Sequence, residues 1–195
     1  MSRLTISKQL LRKELLVRRK MMPEREWFEK SALIASEVLN IREVVEAEHI
    51  LVYLSIDETR EVYTGELVSG LLEAGKRLSV PVVDQRRLLA VRYEPGQKLR
   101  RGIFGQSEPE SIRPVDASLL QVVLLPLVAV DERGCRMGYG MGFYDRFLAE
   151  LASHKCFPCR AGLAFRLQIV PELPCDSWDE PLDYAVHEDG LIHFM

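Results

Sequence analysis

Residues 122–154 constrain the fold of this chain more than any other stretch. Val122-Val123-Leu124-Leu125-Pro126-Leu127-Val128-Ala129-Val130 is an apolar run that reads as a buried strand. Phe147-Leu148-Ala149-Glu150-Leu151 reads as the body of an amphipathic helix, which the pattern carries from about Tyr144 to His154. Between them, Arg136-Met137-Gly138-Tyr139-Gly140-Met141-Gly142-Phe143-Tyr144-Asp145-Arg146 sets three glycines at alternate positions. Glycine admits positive φ and lets a ligand approach where a Cβ would stand in the way. A helix N-terminus behind such a loop presents unpaired N–H groups and partial positive charge, which suit a phosphate. Arg136 and Arg146 bracket the loop as candidate phosphate partners, and Asp145 is a candidate ligand for a hard cation such as Mg²⁺. The spacing is neither the dinucleotide fingerprint nor the Walker loop, so a purely structural loop stays open as the alternative.

A strand–loop–helix unit of this kind belongs to an α/β fold, and 195 residues supply one such domain with a substantial core, residues 1–195. The other segments agree. The pattern predicts helices from Ser7 to about Arg19, from Pro23 to Asn40, and from a Thr64 cap to Gly75. Strands are expected at His49–Ser55, Leu78–Val83, Leu88–Tyr93 and Arg160–Phe165, with two short strands around Asp189-Gly190. Lys98–Pro114 is a long polar segment of the kind that is commonly functional or mobile. Its one large apolar group is Phe104, either an anchor for the loop or a stacking surface for a planar ligand. Glu61 follows a strand's carboxyl end, where open α/β sheets gather ligands, though a surface glutamate is the simpler reading.

A net charge of −3 argues against a general nucleic-acid binder, despite a basic first helix. No apolar run approaches the length that spans a bilayer, and the N-terminus lacks a secretory apolar region. Lys8 and Arg12 lie four apart and share a helix face. Spacing alone favours a solvated basic stripe over an anion clamp. Cys156-Phe157-Pro158-Cys159 has half of a zinc-site spacing, with His154 nearby, but Cys135 and Cys175 are scattered singly. Reduced structural thiols in a cytoplasmic protein are the expectation.

The ordered set of motifs resembles the 5-formyltetrahydrofolate cyclo-ligase (5,10-methenyltetrahydrofolate synthetase) family nearly end to end. The resemblance runs through Lys8-x-x-x-Arg12, Tyr53-Leu54-Ser55, Glu61-Val62-Tyr63-Thr64, Phe104-Gly105 with Glu108-Pro109, and Leu125 to Asp131. It continues in Gly134-x-Arg136 through Asp145, Gly162-Leu163-Ala164-Phe165-x-x-Gln168, and Asp179-x-x-Leu182-Asp183. What the resemblance implies is a three-layer sandwich with an open, mostly parallel sheet flanked by helices. It implies ATP- and Mg²⁺-dependent closure of 5-formyltetrahydrofolate to 5,10-methenyltetrahydrofolate, with ADP and phosphate released. ATP would phosphorylate the formyl oxygen and the folate N10 would attack the activated carbon.

On this resemblance Lys8 and Arg12 would hold ATP phosphates, and Arg136, Met137, Gly138, Tyr139, Gly140, Met141, Gly142, Phe143 and Tyr144 would wrap the nucleotide. Arg136, Tyr144 and Asp145 would carry the catalysis, and Asp145 with Asp179 would serve the magnesium. Leu54, Glu61 and Phe104 would contact the reduced folate, together with Tyr139 to Phe143. The enzyme would be a cytoplasmic monomer with a small-molecule substrate and no nucleic-acid or membrane partner. Two positions depart from the family pattern: Gln106 replaces an aliphatic residue, and His187 a threonine. The competing expectations are an ATP-dependent enzyme of the same fold with another acceptor, and a nucleotide-responsive protein without turnover.

Overall fold

The computed structural model describes residues 8–176 and 178–194. In chain order the elements are α1 (Lys8–Lys20), α2 (Glu24–Leu39), α3 (Arg42–Glu46), β1 (His49–Val52) and α4 (Gly65–Glu73). Then come β2 (Arg77–Asp84), β3 (Arg87–Tyr93), β4 (Leu99–Arg101), β5 (Ser107–Pro109), β6 (Val122–Pro126), β7 (Ala129–Asp131) and β8 (Arg136–Met137). The chain closes with α5 (Phe143–Ser153), β9 (Cys159–Leu163), β10 (Ile169–Val170), β11 (Tyr184–His187) and β12 (Gly190–His193).

Seven strands form the main sheet in the order β12-β11-β9-β6-β1-β2-β3. The four inner pairings are parallel and the two outer ones antiparallel. Strands covered on both faces need apolar residues throughout, and β1 and β6 supply them. Ile50 and Val52, with Val122 and Leu124, pack against α2 and α4. Leu51, Val123 and Leu125 point the other way, to Phe147, Leu148 and Leu151 of α5. Helices therefore cover both faces, which is the three-layer arrangement expected from the sequence. A third cluster, with Leu15, Val128, Ala129, Met137 and Leu173, seats α1 on a small sheet of order β10-β7-β8.

The apolar run from Val122 to Val130 is not one strand. It serves the main sheet up to Pro126 and the small sheet from Ala129 onward. The break is held by side chains reaching its backbone: Gln168 Nε2 donates to the Leu127 and Val128 carbonyls at 2.9 and 3.1 Å. Hydrophobicity alone does not reveal such a break, because both halves are buried.

Three local expectations also change. Thr64 does not cap α4 through its side chain; its hydroxyl donates to the Tyr53 carbonyl at 2.8 Å instead. The Lys98–Pro114 segment contains a hairpin, β4 against β5. Cys135 and Cys175 are not reduced thiols but a disulfide, with Cα atoms 6.1 Å apart and a sequence separation of 40. The turn between β7 and β8 folds beside the segment after Leu173, and sequence spacing cannot show that proximity. Cys156 and Cys159 are free, and burial pushes the Cys159 thiol up to about 12. Ser7, the expected cap of α1, lies outside the described residues. No described helix is long and apolar enough to cross a membrane.

Candidate active site

The glycine loop gets its shape from a strand and a helix that are both fixed elsewhere. β8 pairs antiparallel with β7, and α5 is anchored by Phe147, Leu148 and Leu151. The connection between them turns tightly, with Gly140 at φ 95° and Gly142 at φ 62° immediately ahead of α5. A Cβ on Gly142 would sit 3.0 Å from Arg146 Nη1. Arg146 clasps the loop through the Met141 carbonyl at 2.9 Å and lies over the Phe143 ring. Its guanidinium thus helps to shape the loop while the side chain lines the cleft.

The residues that the family resemblance assigned to the site meet in one cleft of about 600 Å³. Lys8, Arg12, Leu54, Glu61, Phe104, Asp179 and every residue from Arg136 to Arg146 line it. The cleft lies at the carboxyl ends of β1 and β6, where open α/β sheets bind ligands.

One end of the cleft is polar and charged. Arg12 Nε donates to the Gly138 carbonyl at 2.9 Å, laying its guanidinium along the glycine loop. Lys8 Nζ is 2.7 Å from Asp176 and 3.5 Å from Asp179, and its hydrogen bond to Asp176 chiefly raises its pKa. Arg136 is 9% exposed, and its Nη2 donates to Asp145 Oδ1 at 2.6 Å. Burial presses the Arg136 pKa down while Asp145 pushes it back up. Among the described residues, the Arg136 Nε has no hydrogen-bond partner. A buried guanidinium N–H left unmatched is costly, and an anionic ligand would satisfy it.

The other end is apolar around one buried acid. Glu61, 3% exposed, accepts the Tyr139 hydroxyl on Oε1 and the Ile56 N–H on Oε2 at 2.8 Å. Burial raises its pKa, and the two hydrogen bonds oppose that rise. Burial also pushes the Tyr139 and Tyr144 hydroxyls up, so both remain protonated at neutral pH. Phe104, 46% exposed at the tip of the β4–β5 hairpin, meets Phe143 edge-on at 5.7 Å between centroids. A flat aromatic ligand finds faces here, and an N–H donor finds a carboxylate.

Sequence reading missed several cleft residues, among them Tyr53, Thr59, Gln106 and Trp178. It also missed Arg19, which is 2% exposed and donates to Tyr139 just behind the cleft wall. In the sequence Arg19 is one of three consecutive basic residues, and only tertiary packing separates it from Arg18 and Lys20.

A sequence profile of one enzyme family matches residues 5–188. The chain belongs to the 5-formyltetrahydrofolate cyclo-ligase family. Curated cyclo-ligases similar to it include that of Escherichia coli K12, 37% identical over 174 residues, which are 87% of this chain and 93% of the relative. The Haemophilus influenzae cyclo-ligase is 34% identical over 76% of this chain and 80% of its own length. The solution structure of Aquifex aeolicus 5,10-methenyltetrahydrofolate synthetase superimposes with a TM-score of 0.82 at 29% identity, covering 96% of this chain and 93% of that one. The matched residues 5–188 take in every cleft residue named above, from Lys8 to Asp179.

Proposed function

We propose that this chain is itself a 5-formyltetrahydrofolate cyclo-ligase, closing the formyl group onto folate N10 at the expense of ATP. The observation that carries the reading is the pairing, within one cleft, of an anion-ready end with an acceptor-lined, partly aromatic end. An N-formyl oxygen is a poor leaving group, and phosphorylation turns it into a good one. Transfer of that kind needs alignment and charge neutralisation more than an enzyme nucleophile.

In this reading Lys8, Arg12 and the N–H groups at the start of α5 bind the ATP phosphates, with the glycine loop allowing close approach. Arg136 contributes its unmatched Nε to the transferring phosphoryl oxygens. Asp145 and Asp179 fit a magnesium ion in chemistry, since Mg²⁺ takes one or two carboxylates and completes its shell with phosphate and water. When bound, the ion neutralises phosphate charge. Glu61 accepts N–H donors of the reduced pterin, and Phe104 with Leu54 flanks its ring.

The test is absorbance in the methenyl band with purified protein, 5-formyltetrahydrofolate and Mg·ATP, each omitted in turn. The band should grow only in the complete mixture. ATP hydrolysis without that band would instead identify an enzyme of this fold with a different acceptor.

A further inference from the structure

Arg19 does not itself line the cleft, yet it is the most completely buried charged side chain of α1. Its Nε donates to the Thr59 carbonyl at 3.0 Å and its Nη1 to the Leu127 carbonyl at 3.1 Å. Those two bonds fix the plane of the guanidinium. Its Nη2 then meets the Tyr139 oxygen at 2.7 Å.

The directions of these bonds are determined by what each group can do. A guanidinium only donates, and a tyrosine hydroxyl has one proton. With its oxygen accepting from Arg19, Tyr139 turns that proton onto Glu61 Oε1. The second Glu61 oxygen already accepts from Ile56. A protonated Glu61 would have to turn its own proton onto the Tyr139 oxygen and displace the Tyr139 proton from Oε1, because the Ile56 N–H is only a donor. The ionised acid accepts both bonds as they stand, and each of its oxygens keeps a lone pair for a ligand.

We infer that Arg19 is a positioning residue for the acid end of the site: through Tyr139 it holds Glu61 as an acceptor aimed into the cleft. This inference rests on the folate reading of Glu61 for its consequence in catalysis, but not for the relay itself. The titratable and charged groups that face Glu61 are Arg19 from α1, Asp57 and Tyr53 after β1, Tyr139 from the glycine loop and Tyr144 from α5. Asp57 works against ionisation of Glu61, and Arg19 is the cation that works for it. Lys8, Arg12 and Arg19 are spaced by four and seven residues, so one face of α1 serves both the phosphate end and the acid end.

The test is a carboxyl ¹³C NMR titration of Glu61, assigned by its loss in Glu61→Gln, in the parent and in Arg19→Met, Arg19→Lys and Tyr139→Phe. Glu61 should titrate at higher pH in Arg19→Met and Tyr139→Phe, with Arg19→Lys between them and the parent. The acid limb of kcat/KM for 5-formyltetrahydrofolate should move to higher pH in the same order. At neutral pH the folate KM of Arg19→Met should rise about tenfold, as loss of one charge-assisted contact implies, with a smaller change for ATP. Titration of Glu61 at the parent's pH in Arg19→Met would overturn the relay whatever Tyr139→Phe shows, because Tyr139→Phe removes a bond made to Glu61 itself. Arg19→Lys keeps the charge but not the fork that reaches Tyr139, so where Arg19→Met does not fold, titration of Glu61 at the parent's pH in Arg19→Lys would overturn the relay. If the parent itself turns over no 5-formyltetrahydrofolate, the functional reading fails, and the NMR titration still decides the role of Arg19.

Discussion

Arg136 donates to Asp145 across nine residues of the glycine loop, with 2.6 Å between Nη2 and Oδ1. The pair closes the loop on itself: the strand that starts it and the helix that ends it are joined by a charge-assisted bond. Both groups have other work in the proposed reaction, Arg136 toward phosphate and Asp145 toward magnesium. In that reading Asp145 would meet the ion while Arg136, through its Nε, would meet phosphate, so neither charge of the pair would be left bare.

Asp145→Asn keeps the shape but lowers the charge available to the metal. Half-maximal activity should then need about tenfold more Mg²⁺, the equivalent of roughly 1.4 kcal/mol. Magnesium titration at fixed ATP measures it, and an unchanged requirement would remove Asp145 from the metal site.

Lys8 stands in an acidic bracket formed by Asp176 and Asp179. Lys8→Ala should raise the ATP KM about tenfold while leaving the folate KM nearly unaltered, since uniform binding to one substrate is what is lost. Steady-state kinetics with each substrate varied in turn separate the two. Equal kinetics in parent and variant would mean that Lys8 only tethers the Asp176–Asp179 segment.

Most of the fold was legible in local pattern. β1 and β6 announce themselves as unbroken apolar runs because their sheet is covered on both faces. The Cys135–Cys175 link, the break after Pro126 and the role of Arg19 were not legible, since each depends on a contact between segments distant in sequence. Lys8 and Arg12 show the same limit within the site. Their spacing alone favours an exposed basic stripe, and it does not show that Arg12 reaches across to the Gly138 carbonyl.

Gln106 stands where the resemblance led to the expectation of an aliphatic residue, and its contacts explain how an amide is accommodated. Its Oε1 accepts the Phe104 N–H at 3.0 Å and its Nε2 donates to the buried Glu108 at 2.9 Å. The side chain pins the hairpin tip that carries Phe104. Gln106→Leu should loosen the tip and raise the folate KM by about threefold to tenfold, with little change in Tm. A KM equal to the parent's would show that the tip is held by the Phe104–Phe143 contact instead.

The disulfide closes a 40-residue span from the β7–β8 turn to the segment leading to Asp179. Constraining the unfolded chain over such a span is worth about 2–4 kcal/mol. Reductant should lower the Tm of the parent and leave the Cys135→Ser variant unmoved, as followed by thermal unfolding with and without dithiothreitol. An equal effect of reductant on both would place its action elsewhere.

His187 provides a pH-dependent contribution whose sign is set by burial. The ring is 5% exposed, its Nδ1 accepts the Asp189 N–H at 3.2 Å, and burial lowers its pKa below the usual histidine value, with Arg166 adding to the effect. In the unfolded chain His187 takes up a proton near pH 6.5, whereas the folded chain resists it. The unfolded state thus binds more protons as pH falls through 6.5, and stability declines in that direction. Above that range both states hold a neutral ring and the contribution is level. The Tm should therefore fall between pH 7.5 and 5.5, and His187→Gln, which keeps an acceptor but does not titrate, should show a flatter curve. Parallel curves for parent and variant would assign the acid loss to carboxylates such as Glu188, whose pairing with Lys30 at 2.9 Å and bond from the Arg166 N–H hold its pKa below the usual glutamate value. That loss would set in only at lower pH, so the onset itself separates the two causes.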